Sequence, residues 1–94
     1  MYIQKVNYGI DELCKSNDSI YDLVGQIDLK KLQENEIICY GISLNKSFIE
    51  IYYNNGEYSL RISNRNKEYF EDINSNDVKK YFQQKLIFEF GNLA

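Results

Sequence analysis

Residues able to carry out chemistry are few in this sequence. It contains no histidine, which removes the commonest general base and the commonest neutral metal ligand. Cys14 and Cys39 lack an imidazole partner and a C-x-x-C spacing, so we expect both thiols to be reduced and structural. No glycine-rich phosphate loop and no G-x-S-x-G sequence occurs. These observations predict a protein that is not an enzyme and uses no metal or cofactor.

Carboxylates are the remaining candidates for catalysis. Glu68, Glu71 and Asp72 form the densest acidic cluster, and paired acids can transfer protons or bind a hard cation. The cluster does not follow the spacing of a calcium-binding loop, and acids that flank Tyr69 and Phe70 are ordinary surface composition. A small catalyst that uses carboxylates or a tyrosine is therefore the lowest-ranked alternative, and no catalytic residue is predicted.

Basic residues support a second alternative, the binding of nucleic acid. The candidates lie among aromatic side chains that can stack on bases, and they are Arg61, Arg65, Lys67, Lys79 and Lys80. The net charge of -3 opposes this interpretation, because contact with a phosphate backbone usually requires a positive face. The same charge argues against attraction to an anionic membrane.

An amphipathic sheet face supports the leading hypothesis, a contact with another protein. The strand register derived below places Phe48 and Tyr52 there, on either side of a cross-strand pair of Glu50 with Arg61. Aromatic residues that flank a charged pair are typical of protein contact sites. A covering helix would instead make this face a second core layer. Gly41 beside Glu50 leaves a gap that admits either a partner group or such a helix.

The predicted partner-binding residues combine this face with the acids around it. They are Phe48, Glu50, Tyr52, Glu57, Arg61, Glu68, Glu71 and Asp72. Their charge favours a basic partner, such as a protein that handles nucleic acid. In size and composition the chain, with nine tyrosines and no histidine in 94 residues, resembles inhibitors from phages and mobile elements, including anti-CRISPR proteins. The resemblance implies a non-enzymatic protein that occludes a host defence protein such as a CRISPR nuclease. A toxin-immunity protein is the alternative of the same kind.

Length and composition indicate one small globular domain over residues 1–94. Hydrophobic residues make up 44% of the chain and charged residues 27%, a balance that supports one core and argues against disorder. No leader sequence opens the chain, and its longest nearly apolar stretch, 37–44, is too short to span a membrane. We therefore expect a soluble, cytoplasmic α+β domain.

The N-terminal part predicts short helices. Residues 20, 23, 24 and 27 are apolar at helical spacing after a capping sequence that begins at Ser19, and Asp28 can cap a second turn through Leu32. Before them, Tyr2, Val6 and Tyr8 suit a short strand, whereas 10–14 suit a helical turn.

From residue 37 the hydrophobic period changes from 3.6 to 2, which predicts a three-stranded antiparallel meander over about 37–44, 47–53 and 57–63. The turns are Asn45-Lys46 and Asn55-Gly56. They place on one buried face the pairs Tyr53–Tyr58, Ile51–Leu60, Ile49–Ile62, Ile42–Ile49, Tyr40–Ile51 and Ile38–Tyr53. Cys39, opposite Tyr52, and Ile37 fall on the other face. A slip of one residue would bury Ser59 and Arg61, so both turns favour this register.

A C-terminal helix over about 75–86 should cover the buried face. Asn74, Ser75 and Asp77 offer capping oxygens, and the apolar stripe is Val78, Tyr81, Phe82 and Leu86. Residues 87–90 either extend this helix or return as a strand, and Gly91 should end it. Residues 64–73 form either a loop or an irregular fourth strand. An exposed edge of the meander is a candidate surface for a homodimer.

Overall fold

The fold is an antiparallel sheet with helices packed on one of its faces. The computed structural model describes residues 2–7, 10–15, 20–44 and 46–90, and the side chains of 20–43 and 46–90. Over these residues the elements are β1 (Tyr2–Asn7), β2 (Ile10–Lys15), α1 (Ile20–Gly25), α2 (Leu29–Gln33), β3 (Cys39–Leu44), β4 (Ser47–Asn54), β5 (Glu57–Ser63), β6 (Glu68–Asp72) and α3 (Val78–Phe90).

The predicted meander forms the centre of a larger sheet. The strand order is β2-β1-β3-β4-β5-β6, so β3 to β6 follow one another as a four-stranded meander. The β1–β2 hairpin adds to the other side of β3 through antiparallel pairing of β1 with β3. The prediction of three strands is therefore confirmed for β3, β4 and β5 and falls short by three strands.

The register of the meander agrees with the turn chemistry. Asn55 and Gly56 have φ angles of 53° and 82°, as a type I′ turn requires. Leu44 pairs with Ser47 across the other turn, in which Asn45 lies outside the described residues. The confirmed cross-strand pairs are Tyr53–Tyr58, Ile51–Leu60, Ile49–Ile62, Ile42–Ile49, Tyr40–Ile51 and Cys39–Tyr52.

One core lies between the sheet and the helices. It combines the inward residues of β3, β4 and β5 with the apolar stripes of α1, α2 and α3, and full burial of each large aliphatic side chain contributes about 1.5–3 kcal/mol. Asp28 caps α2 by accepting a hydrogen bond from the Lys30 amide at 3.0 Å, as predicted. The radius of gyration, 12.4 Å, is that of a compact domain of this length.

The prediction of a helical turn at 10–14 is wrong. These residues lie in β2, where Ile10 pairs with Asn7 and Cys14 with Ile3 of β1. Pairing within the hairpin outweighs a weak local helical pattern, because each residue of β2 gains a ladder partner on β1. The predicted strand at Tyr2 and Val6 is confirmed, whereas Tyr8 and the capping residue Ser19 lie outside the described residues.

The predicted faces of Ile37 and Ile38 are interchanged. Ile37 is 4% exposed and belongs to the core, whereas Ile38 is 38% exposed. The alternation of a strand does not extend to them, because β3 begins only at Cys39. The chain leaves α2 through Asn35, which has a φ of 59°, and bends before it enters the sheet.

The C-terminal helix starts and ends later than predicted. It spans Val78–Phe90 because Asp77 is its cap: the Asp77 carboxylate accepts a hydrogen bond from the Lys80 amide at 3.1 Å. Ser75 belongs to the preceding turn, where its hydroxyl accepts from the Asp77 amide at 3.2 Å. Of the two alternatives for 87–90, the helical one is observed.

Residues 64–73 contain a regular fourth strand of the meander. The Asn64 side chain accepts hydrogen bonds from the amides of Asn66 and Lys67, at 2.9 and 3.0 Å, and so closes a short turn after β5. β6 then pairs antiparallel with β5, with Phe70 opposite Arg61 and Glu71 opposite Leu60. Since Leu60 faces the core, this register places Phe70 on the other side of the sheet.

Candidate functional site

The sheet face that points away from the core, here called the outer face, collects most of the predicted contact residues. No described helix packs against it, because the buried residues of α1, α2 and α3 all belong to the core. On β3 to β6, where the side chains are described, its members are Cys39, Gly41, Ser43, Phe48, Glu50, Tyr52, Ser59, Arg61, Ser63, Glu68, Phe70 and Asp72, with Glu57 at the tip of the β4–β5 hairpin.

Exposure on the outer face rises from β3 towards β6. Cys39 is buried, Glu50 and Arg61 on the middle strands are half-buried, and Glu68 on β6 is exposed. The Phe70 ring, also on β6, is 72% exposed. The most exposed part of this face therefore lies at the β6 side of the sheet.

Arg61 is the centre of a charged cluster on this face. Its guanidinium donates to Glu50 Oε1 at 2.5 Å and, through Nε, to Glu68 Oε1 at 2.8 Å. The guanidinium carbon lies 4.8 Å from the centroid of the Phe48 ring, at the distance of a cation–π contact. The hydrogen bonds with Glu68 and then with Glu50 raise the pKa of Arg61. Two carboxylates thus hold one cation, which leaves the cluster with excess negative charge.

Glu50 is also held by one neighbour on β4 and one on β3. The Tyr52 hydroxyl of β4 donates to Glu50 Oε1 at 3.1 Å, and the Cys39 thiol of β3 lies 3.6 Å from Glu50 Oε2. Burial raises the pKa of Tyr52 above its ordinary value, and the neighbouring Cys39 and Glu50 raise it further. Tyr52 therefore remains a hydrogen-bond donor at neutral pH, and its contact holds the Glu50 carboxylate in position.

Gly41 produces the gap that the register predicts. It pairs with Glu50 across β3 and β4, and a concavity of about 180 Å³ opens there, lined by Gly41, Ser43, Phe48 and Glu50. The missing side chain of Gly41 leaves this space beside the charged cluster.

Glu71, one of the predicted partner-binding residues, lies on the helix-covered face. Its Oε2 atom is buried and lies 3.3 Å from Lys85 Nζ of α3. The alternation along β6 therefore separates Glu71 from its neighbours Glu68 and Asp72, which point to the outer face. Glu71 contacts the helix and is not placed to contact a partner of the outer face.

The predicted nucleic-acid-binding residues do not share one surface. Arg61 belongs to the outer face, whereas Lys79 and Lys80 belong to α3 on the opposite side of the sheet. Arg65 is exposed in the β5–β6 turn, and the Lys67 ammonium lies 4.6 Å from the centroid of the Tyr69 ring. The structure thus distributes these cations over two layers.

Phe70 is a candidate contact residue that the sequence reasoning missed. The sequence contains a signal for it. After the asparagine-containing turn at 64–66, Tyr69 and Ile73 lie an even number of residues apart and point inward, so Phe70 between them points outward. Treating 64–73 as a strand in register with β5 would have located it.

The part of the chain that the structure describes contains no group of three or more cysteine, aspartate and glutamate side chains arranged to hold a metal ion. No helix in that part of the chain has the length and apolar character needed to cross a membrane.

In comparisons with known proteins, no family model matches the chain, and neither a curated protein nor a solved structure matches it.

Proposed function

We propose that this chain is a non-enzymatic protein-binding module and that the outer face is its contact surface. The observation that carries the proposal is the Phe70 ring, which is 72% exposed on a sheet face that no described helix covers. Burial of such a ring in an interface contributes about 1.5–3 kcal/mol. Beside it, Arg61 is already oriented by two carboxylates, so little side-chain entropy is lost when a partner binds.

The partner is a protein with a basic surface. On β4, β5 and β6 the outer face carries the carboxylates of Glu50, Glu57, Glu68 and Asp72 and, among the described side chains there, one guanidinium, that of Arg61. This excess of negative charge attracts a positive patch and accelerates association with it. Proteins that handle nucleic acid present such patches, because they bind phosphate backbones.

The biological role that fits these properties is inhibition. In accordance with the resemblance in size and composition, we place the protein in the cytoplasm as an inhibitor encoded by a phage or mobile element. It would occlude the basic surface of a host defence protein such as a CRISPR nuclease. A rigid preformed face suits occlusion, since binding then requires no folding step. Nucleic-acid binding has less support, because Arg61 is paired with carboxylates and the other cations lie on two layers.

Capture from a lysate of the source organism tests this proposal. The tagged chain should retain one protein in near-stoichiometric amount, and nuclease treatment should not release it. Phe70→Ala should weaken retention about tenfold or more, as expected at a binding hot spot. Phe88→Ala is the matched control, because the Phe88 ring is 77% exposed but lies on α3.

Three outcomes separate the alternatives. Recovery of material that nuclease releases would favour nucleic-acid binding and contradict the proposal. Equal loss of the partner with Phe70→Ala and Phe88→Ala would show that the outer face is not the contact surface. Capture of a toxin would support the protein-binding role but would identify the chain as the immunity protein of that toxin and not as an inhibitor of a defence protein.

A further inference from the structure

β6 is an open edge of the sheet within the described part of the chain. It is the last strand in the sheet order, and of the described strands only β5 pairs with it. Backbone hydrogen bonds flank this ladder at both ends: the Ile73 amide donates to the Tyr58 carbonyl at 3.0 Å, and the Asn64 amide donates to the Lys67 carbonyl at 2.9 Å. Bonded and non-bonded pairs alternate in an antiparallel ladder. The peptide groups of Tyr69 and Glu71 therefore point towards β5.

The intervening residues direct their peptide groups outward. The N–H and C=O groups of Glu68, Phe70 and Asp72 point along the open edge, away from β5. The side chains of the same three residues lie on the outer face, and all three are exposed. The edge thus presents backbone donors and acceptors together with an acid–aromatic–acid row of side chains.

We propose that β6 binds an extended segment of the partner as an additional strand of the sheet. This inference rests on the proposed function and specifies how the outer face meets its partner. Backbone hydrogen bonds to the edge would supply binding, and every second side chain would supply specificity. The row of Glu68, Phe70 and Asp72 selects a segment with the pattern basic-x-apolar-x-basic.

A second copy of the chain is a poorer occupant of this edge. Antiparallel pairing of two β6 strands about Phe70 would set Glu68 of each copy opposite Asp72 of the other. Like charges directly opposite each other destabilise a strand pair. The two outward acids of β6, Glu68 and Asp72, therefore oppose self-association and favour a basic strand.

The test uses the isotope-labelled full chain and a blocked peptide, acetyl-TKTVTKT-amide, at low salt. Amide exchange measured by NMR should slow at Glu68, Phe70 and Asp72 on binding. It should not change at Tyr69 and Glu71, whose amides already bond to β5. The charge-reversed peptide acetyl-TETVTET-amide should not bind. Failure of the lysine peptide to bind at millimolar concentration, or protection without this alternation, would overturn the proposal.

A pair of variants isolates the backbone contribution. Phe70→Ala removes the ring, and Phe70→Pro also removes the outward N–H, which an edge strand tolerates because this group does not bond to β5. We expect Phe70→Pro to bind the lysine peptide about fivefold more weakly than Phe70→Ala does. Circular dichroism is used to check that both variants are folded. The exchange experiment uses the unaltered chain, so it tests the proposal even if either variant does not fold.

The failure of this inference differs from the failure of the proposed function. A captured partner that is sensitive to Phe70→Ala, but that binds Phe70→Pro equally well, would overturn strand addition and leave the outer face as the contact surface. Loss of the partner only with variants of α3 would overturn both.

Discussion

β6 carries two glutamates three residues apart, and the layers on its two sides use them differently. Glu68 joins Arg61 and Glu50 on the outer face, where its side chain is 48% exposed. Glu71 joins Lys85 beneath α3, where Glu71 and Lys85 are 32% and 17% exposed. Both networks combine carboxylates, one cation and aromatic rings. The two networks differ because α3 covers only the second one, in which Glu71 of β6 binds Lys85 of α3 and so connects the sheet to the helix.

The covered network holds α3 to the edge of the sheet. The Tyr69 hydroxyl donates to Glu89 Oε1 at 2.6 Å, and the Lys85 ammonium lies 5.4 Å from the centroid of the Tyr69 ring. Burial lowers the pKa of Lys85, but its contacts with Tyr69 and Glu71 outweigh this effect and raise it. Every charged group here has its partner inside the molecule, whereas the outer network displays Phe70 beside its ions.

Charge reversal at Glu68 and at Glu71 should distinguish the exposed network from the covered one. The largest loss of stability is expected at Glu71. Glu71→Lys places an ammonium beside Lys85 in the helix-covered layer, and we expect it to lower the free energy of unfolding by about 3 kcal/mol. Glu68→Lys should lower it by about 1 kcal/mol or less, because that site is solvated. Urea denaturation followed by circular dichroism measures both.

A swapped pair provides the control for this prediction. Adding Lys85→Glu to Glu71→Lys restores opposite charges and should recover most of the lost stability. If the two single reversals were equally destabilising, coverage by α3 would not be what distinguishes the networks.

The opposite ranking is expected for association with the captured partner. Glu68→Lys should slow association roughly tenfold at low salt, because it replaces an acid that steers a basic surface with a base. Added salt should reduce the difference from the wild-type chain. Stopped-flow measurements at two salt concentrations test this. Rates for Glu68→Lys equal to the wild-type rates at low salt would contradict a basic partner at the outer face.

Local patterns predicted the meander well because its signals are redundant. Asn55-Gly56 fixes one register, the apolar alternation of β4 and β5 fixes the same one, and the observed pairs agree with both. The β1–β2 hairpin could not be predicted in the same way. Its place beside β3 depends on pairing between distant parts of the chain, which no local pattern encodes.

The sequence does not determine which side of the sheet each residue of 64–73 occupies, because this stretch is compatible with either a loop or a strand. The sequence pattern therefore groups Glu71 with Glu68 and gives no sign that Phe70 lies on the outer face, whereas the register with β5 separates the two glutamates. The Glu50–Arg61 pair was predicted correctly, because it lies between two strands whose register the Asn55-Gly56 turn determines.

The smallest predicted effect is on stability in alkaline solution, where one tyrosine of each network, Tyr52 or Tyr81, is replaced by phenylalanine. The pKa of Tyr52 is raised chiefly by burial, and that of Tyr81 chiefly by a hydrogen bond with Glu71. A raised pKa in the folded state stabilises the fold fully below the unfolded value of about 10, and this contribution is lost as pH rises above it. Stability should therefore be lower at about pH 11 than at about pH 8, with the loss beginning at about pH 10.

Tyr52→Phe should remove more of this alkaline loss than Tyr81→Phe, by at most about 1 kcal/mol at about pH 11. The reason lies in the charges around each hydroxyl. Around Tyr52, Cys39 and Glu50 both add to the effect of burial, whereas the positive charge of Lys85 lowers the pKa of Tyr81 and offsets part of the rise. Urea denaturation of each variant at both pH values measures the difference. A larger change for Tyr81→Phe would contradict this ranking, because the hydrogen bond with Glu71 would then raise the Tyr81 pKa more than burial and the neighbouring charges raise that of Tyr52.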